Sequence, residues 1–338
     1  MAAAIVLCAA VTLAMCLAAA PLGRLLGVMD EPDGERKLHA RATPQVGGIA
    51  IGVPLVLFAA WLAWSSEFRP FYAAVAGAAA ALLALGTIDD RRHIRPALRL
   101  SLSFAICLAV LLLVPGLQVS FLKITGLTPP LYLDGAWVLA FSLMCLVGLQ
   151  NAVNMADGKN GLVLALALIW TGLLYLHAPE HLRPLIAVLD IGLAITFGFN
   201  LAGRLFLGDG GTYVLGVLLG LLAIYCYTVG VPALSADTVM LWFLVPVLDC
   251  LRLIVSRLRQ GRSPFSSDLN HLHHILAELF RWRWGLTVYL GLVAVPALLA
   301  LADPARTGEL ALGTALVYVV LVAVGGRITA ARRLMSAL

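Results

Sequence analysis

The sequence predicts an all-α integral membrane protein, a bundle of about eleven transmembrane helices whose polar chemistry lies in the loops of one face. Three observations carry this. Of the 338 residues, 62% are hydrophobic and 12% charged, against roughly 45–50% and 25% in a soluble domain. Eleven stretches reach the roughly 20 apolar residues that a bilayer crossing needs. The basic residues fall almost entirely on alternate connections. Such an excess of apolar surface excludes a cytosolic enzyme, a secreted disulfide scaffold, a disordered chain and a nucleic-acid binder. The net charge of +5 reads as loop bias, not as affinity for nucleic acid.

Each span has its own signal. The stretch 3–20 lacks the basic residues that precede a signal peptide's apolar run, so it reads as a span. The second, 46–64, starts at Gly47-Gly48. The third, 71–88, is alanine-rich but free of charge. Spans at 100–117 and 135–153 flank a segment, 118–134, whose weak alternation suggests a small hairpin. Spans at 161–177, 185–202, 211–229, 238–256, 285–302 and 309–326 complete the set. Pro246 should kink the ninth. Asp249 lies three residues before Arg252 in the same span, a spacing that allows an internal pair. Asp190, in the seventh, has no sequence-level explanation.

An odd number of spans puts the termini on opposite sides. With the N-terminus outside, 19 of the 23 Lys and Arg residues fall on inside connections and 4 (Arg69, Lys123, Arg183, Arg306) outside. The positive-inside rule therefore orients the chain N-out and C-in. The whole of 1–338 reads as a single polytopic membrane domain, with inside loops at about 21–45, 89–99, 154–160, 203–210 and 257–284. The six cysteines all lie in apolar stretches and read as small hydrophobes.

Five polar constellations stand in those inside loops. Asp89-Asp90 closes the third span; adjacent carboxylates repel unless a cation or proton separates them, so the pair is a metal–phosphate site or a solvated helix end. Asn151 and Asn154 share a helix face, and with Asp157, Gly158, Lys159, Asn160 and Gly161 they exceed what a helix junction needs. Carboxamides both donate and accept, which suits a nucleobase or a metal shell. Asp209, among Gly208, Gly210 and Gly211, is either a phosphate or hydrated Mg²⁺ site or the N-cap of the next helix. His271, His273 and His274, with Asp268 and Arg262, lack a zinc-protease pattern and read as donors to phosphate oxygens. Lys37 and His39, with Arg36, precede Gly47-Gly48 and look like part of the same site.

Taken in order and on one face, these motifs resemble the polyprenyl-phosphate N-acetylhexosamine-1-phosphate transferase family. The resemblance runs from about 30 to 274. It implies a bacterial inner-membrane enzyme, working as a homodimer, with its active site on the cytoplasmic face. It also implies transfer of a sugar 1-phosphate from a UDP-N-acetylhexosamine to undecaprenyl phosphate, with Mg²⁺ (or Mn²⁺) and release of UMP. The His-x-His-His form is similar to the branch that starts cell-surface polysaccharides, not to the muramoyl-pentapeptide branch, which has three consecutive histidines. The sequence departs from the common Asp-Gly-x-Asp-Gly pattern at Asn160. On this resemblance Asp89 accepts or orients the lipid phosphate proton, with Asp90 in support. Asp209 and Asn154 hold the metal. His271, His273, His274 and Arg262 grip the diphosphate and sugar. Asn151, Asp157 and Asn160 face the nucleoside side, and Lys37 and His39 the lipid phosphate. A groove beside the ninth span admits the lipid tail. The rival class, a transporter of an anionic solute, would place ionisable groups along a path near the bilayer midplane, whereas here they gather on one face.

Overall fold

The structure is a computed structural model that describes residues 1–32, 41–230, 234–266 and 268–337. Arg36, Lys37 and His39 lie outside the described residues.

Every one of the eleven apolar stretches is helical. Helix α1 (Ala2–Leu17) turns by 75° into α2 (Ala19–Leu26), so the first span ends earlier than expected. A two-residue ladder pairs β1 (Met29–Asp30) with β2 (Thr43–Pro44). Then come α3 (Gly47–Ser65), α4 (Arg69–Arg92) and α5 (Pro96–Leu113). The expected hairpin is present as β3 (Phe121–Leu122) against β4 (Leu131–Tyr132). Helices α6 (Ala136–Ala156), α7 (Leu162–His177), α8 (Arg183–Leu201), α9 (Gly208–Tyr225) and α10 (Ala236–Arg259) follow. The chain ends with the short α11 (Leu272–Leu279), then α12 (Trp282–Ala302) and α13 (Thr307–Ala337).

Among the described residues nine helices are long and apolar enough to cross a membrane, and the bent α1–α2 pair makes a tenth. Helix α7 has 16 residues, about 24 Å at 1.5 Å per residue, short of a full hydrocarbon core. Its crossing is set by its neighbours: the C-terminal ends of α6 and α8 meet through the Gly161 N–H, which donates to Asn200 Oδ1 at 2.6 Å. Helix α7 must therefore run out and α8 back.

Helix α9 is the axis of the bundle, with 89% of its apolar window buried, against 22–56% for the other long helices. It is apolar all round, as a central helix must be, and it is rich in glycine. Without a hydrophobic force between helices in lipid, close backbone packing through small residues holds a bundle together. An added Cβ on Gly48 of α3 would sit 2.1 Å from the Gly211 N atom, and one on Gly86 of α4 would sit 2.4 Å from the Gly210 N atom. On the other flank a Cβ on Gly216 would meet the Gln150 backbone of α6 at 2.5 Å. Three helices thus touch α9 backbone to backbone near its N-terminus.

Helix α10 is continuous through Pro246. Proline removes the N–H that would bond the carbonyl four residues back, and the freed Trp242 carbonyl instead accepts from Trp170 Nε1 at 2.7 Å. Asp190 of α8 accepts from the Thr171 hydroxyl of α7, a local partner for a half-buried acid. The cysteines are all free thiols, four of them buried.

Candidate active site

The glycine contacts set the first feature of the site. They bring the C-terminal end of α4 against the N-terminal end of α9, where unpaired backbone N–H groups and the helix dipole favour an anion. Asp90 supplies it: its carboxylate accepts from the N–H of Asp209 at 2.9 Å and of Gly210 at 3.2 Å. The cap of α9 therefore comes from another helix, not from Asp209. The Asp209 side chain is left to face α6, where Asn154 Nδ2 donates to Asp209 Oδ1 at 2.6 Å and to Thr212 Oγ1 at 3.0 Å.

Asp89 points elsewhere. Its Oδ2 accepts from the Tyr213 hydroxyl at 2.6 Å and from Arg99 Nη1 at 3.3 Å, and its Oδ1 from the Ile94 N–H at 2.7 Å. One position along a helix turns a side chain by about 100°, so the adjacent acids relieve their repulsion by diverging. Asp89 is 3% exposed and braces the α4–α5 turn against α9. One of its oxygens takes two donors and the other faces the turn. Asp90 is the member of the pair that meets Asp209.

The 157–161 turn is fixed by partners far away in sequence. Trp282 Nε1 donates to the Asn160 carbonyl at 2.8 Å. Asn200, 4% exposed, accepts from the Gly161 N–H and donates to the Leu205 carbonyl at 3.0 Å, joining this turn to the one before α9. Gly161 itself sits at φ +85°, where a side chain would strain the backbone. Burial, and then the charge of Asp209, push the Asp157 carboxyl up to about 7 from the ordinary 3.8.

The histidines do not act alike. His273 is 1% exposed and lies against Gly158, where an added Cβ would meet its Nε2 at 2.1 Å. Burial, followed by the neighbouring His274 and His271, holds it well below its ordinary range, so it is neutral. Both its ring nitrogens lack a partner among the described residues; such orphans are what a bound polar group or water completes. His271 Nδ1 lies 3.1 Å from Asp249 Oδ2, and its Nε2 3.4 Å from Arg257 Nη2. The expected Asp249–Arg252 pair is present at 2.8 Å, but it is only part of Asp249's surroundings. Arg262 lies at an exposed position, while Arg257, 3% exposed, reaches Asp268 at 2.8 Å and the Pro264 carbonyl at 2.7 Å. Burial works against the Asp268 anion, yet the Asn270 N–H and the Arg257 guanidinium outweigh it and hold its carboxyl below the usual range.

Beside these groups opens an apolar cavity of about 1370 Å³. Asn151, Asn154, Arg99, Arg257 and His271 line its polar end, and Tyr227 and Asp237 its far end. Asp237 and Arg257 are 20 positions apart on α10, about 30 Å at 1.5 Å per residue. Asn151 and Asn154 share the cavity face, as their spacing requires.

Among the described residues no three His, Cys, Asp or Glu side chains converge on a metal position, which disfavours a zinc-type cluster. The donor set does fit a magnesium ion, which takes one or two carboxylates and fills its shell with water and substrate phosphate. Asp209, with Asp90 beside it, could supply such a carboxylate. Asn154 spends its amide nitrogen on Asp209 and Thr212, so only its carbonyl is offered.

Comparison with known proteins shows the family. Residues 72–227 match the model of glycosyl transferase family 4. The chain is 31% identical to the decaprenyl-phosphate N-acetylglucosaminephosphotransferase of Mycolicibacterium smegmatis, over 85% of this chain and 79% of the relative. The chain belongs to the polyprenyl-phosphate N-acetylhexosamine-1-phosphate transferase family. The protein of the same name from Mycobacterium leprae is 32% identical over 82% of this chain and 79% of its own length. The undecaprenyl-phosphate alpha-N-acetylglucosaminyl 1-phosphate transferase of Yersinia pestis is 28% identical over 74% and 70%. The transporter alternative finds no support among these relatives.

The matched family region holds Asp89, Asp90, Asn151, Asn154, Asp157, Asn160 and Asp209, while the histidine segment lies beyond it. Sequence reasoning missed Arg99, Asn200, Arg257, Tyr213 and Tyr318 as parts of this family member's site. Asn200 carried a signal, a buried-span carboxamide just before a polar turn. The tyrosines carried none, because their partners are 60 or more positions away.

Proposed function

We propose that this family member transfers an N-acetylhexosamine 1-phosphate from a UDP-sugar to undecaprenyl phosphate or a similar polyprenyl phosphate. The observation that carries this reading is one continuous arrangement: Asn154, bonded to Asp209, which adjoins Asp90, lines the polar end of an apolar cavity that runs most of the length of α10. A phosphorylated lipid needs such a site, with its head among polar groups and its tail in an apolar channel. An oxygen of the lipid phosphate attacks the β-phosphorus of the UDP-sugar, the bond to the bridging oxygen breaks, and UMP leaves with that oxygen. Phosphoryl transfer of this kind depends on positioning and charge neutralisation. Asp209, with the Asn154 carbonyl, would hold Mg²⁺, which when bound neutralises diphosphate charge. Asp90 is our assignment for the lipid phosphate proton. Arg99, at the polar end of the cavity and bonded to Asp89, offers its remaining N–H groups to an anion. Asp157 and Asn160 face the nucleoside, and the orphan nitrogens of His273 await a polar group of the donor.

The 19-to-4 distribution of basic residues supports a cytoplasmic polar end, an outside N-terminus and an inside C-terminus in a bacterial inner membrane. The protein works there as a homodimer at the first membrane step of a cell-surface polysaccharide pathway.

The test is UMP release by the purified chain given Mg²⁺, undecaprenyl phosphate and a panel of UDP-sugars. UDP-N-acetylglucosamine should be turned over, and omission of either the lipid or the metal should stop release. Absence of UMP in the complete mixture, from folded protein, would discard the transferase reading.

A further inference from the structure

Asp249 is buried in α10, 4% exposed, and four donors converge on it, one from its own helix and three from two other helices. Arg252 Nη2 lies 2.8 Å from its Oδ1, the Tyr318 hydroxyl of α13 donates to the same oxygen at 2.9 Å, and the Leu272 N–H at the start of α11 reaches both oxygens at 3.2 Å. The fourth partner is His271 Nδ1, at 3.1 Å from Oδ2. Arg252 also bonds the Tyr318 hydroxyl oxygen at 2.8 Å and the Asn270 carbonyl at 2.6 Å. A carboxylate in this company is an acceptor only, so the hydrogen of the His271 contact sits on Nδ1. Across the ring, Nε2 faces Arg257 Nη2 at 3.4 Å. A guanidinium only donates, so Nε2 accepts. The two contacts together define a neutral imidazole with its hydrogen on Nδ1.

The same contacts form one chain of bonds. It starts at Tyr318 in the last helix and passes through Asp249, His271 and Arg257. It ends at Asp268 and the Pro264 carbonyl. Pro264, Phe265, Ser266 and His271 line the polar end of the cavity. We propose that Asp249 is a positioning residue that holds His271 as its Nδ1–H tautomer, so that Nε2 anchors Arg257 and with it Pro264 and Asp268 at the head of the cavity. Tyr318 sets Asp249 in place, and the last helix thereby takes part in building the site. Carboxylates do the same for metal-bound histidines by fixing their tautomer and orientation; here the dependent group is an arginine. His271 is accordingly not a free donor to phosphate: its one N–H is spent on Asp249.

This inference rests on the transferase reading only for its kinetic consequence, and the test separates the two. In the full chain labelled with ¹⁵N-histidine, the His271 ring signals are assigned by their loss in His271→Gln. Nδ1 should be protonated and Nε2 bare. A hydrogen on Nε2, or on both nitrogens, overturns the proposal whether or not the chain is an enzyme. The kinetic arm is a double-mutant cycle in kcat/KM. Asp249→Asn should cost about tenfold or more in the wild-type background but less than about twofold when His271 is already Gln, since residues acting through one another are not additive. Equal losses in both backgrounds would mean that Asp249 acts independently of His271, and the positioning role falls. If thermal unfolding shows that Asp249→Asn does not fold, Tyr318→Phe takes its place in the cycle, with a loss of about threefold to tenfold expected from one hydrogen bond. A wild-type chain that releases no UMP refutes the transferase reading, while the ring signals still decide the tautomer.

Discussion

Both ends of the bundle carry polar groups, yet the two are built differently. At the end away from the site, polar groups mend the backbone of loops. The Tyr72 hydroxyl donates to the His181 carbonyl, and the Tyr227 hydroxyl accepts from the Lys123 N–H. Asp237 accepts from the N–H and hydroxyl of Thr125. At the site end, acids from three separate helices and turns are drawn towards one another: Asp90 caps the helix that starts at Asp209, and Asp209's charge reaches Asp157. Like charges held together cost stability, and a fold keeps such an arrangement where a cation or a substrate resolves it. The difference lies in whether the groups complete each other, not in how many there are.

The strongest way to break this contrast is to neutralise one acid at each end. Asp209→Asn should lower turnover by about 100-fold or more, the scale of losing one electrostatic contact to a transition state, and should weaken Mn²⁺ binding with little change in unfolding temperature. Asp237→Asn should lower the unfolding temperature and leave turnover within about twofold. Normal turnover of Asp209→Asn at low Mg²⁺ would show that its place beside Asp90 is only a helix start.

The contrast also predicts that packing makes the site. Gly86→Ala forces a methyl group into the backbone of Asp209 and Gly210, which should cost about 1–3 kcal/mol of stability as overpacking and weaken Mn²⁺ binding as Asp90 parts from α9. Gly77, on the same helix, has nothing within 4 Å of an added Cβ. Gly77→Ala should leave both unfolding and metal binding unchanged. A Gly86→Ala protein that keeps wild-type metal affinity would detach the site from the glycine contacts.

A smaller effect is expected at Asn160. A single neutral hydrogen bond is worth about 0.5–1.5 kcal/mol, so Asn160→Ala should raise the UDP-sugar KM several-fold. Asn160→Asp should keep substantial activity. Abolished turnover in a folded Asn160→Asp protein would assign that position another task.

The smallest effect concerns pH. The Asp157 carboxyl is pushed up to about 7 from 3.8, so between those values the folded state binds a proton that the unfolded state has released. Stability from this group is therefore lost as pH rises through the window. In metal-free buffer, the unfolding temperature should fall more between pH 5 and pH 8 in the wild type than in Asp157→Asn. Parallel profiles would mean that Asp157 is no more buried than an ordinary surface acid.

Much of this was legible in the residues. A run of 20 apolar side chains specifies a span by itself, because each backbone group in lipid must be satisfied within its own helix. All eleven stretches are helical, and the hairpin at 118–134 and the Asp249–Arg252 pair are present. Asn151 and Asn154 share a face for the same reason. Local geometry decides what lies within one turn, and sequence spacing reports it. It also places alternate loops at one end, and so gathers Asp90, Asn154 and Asp209 without saying which will touch. The partners themselves were decided by tertiary structure. Asp89 and Asp90 are chemically identical neighbours, and only the approach of α9 through Gly86 and Gly210 turns one into the cap of that helix and leaves the other to Tyr213 and Arg99. Arg257 and Arg262 differ by five positions on the same segment; burial against Asp268 and His271 chose the first. Tyr318 meets Asp249 across 69 positions. Contacts of that separation depend on which helix backbones come close enough to pack, and on side chains from several helices meeting in one place.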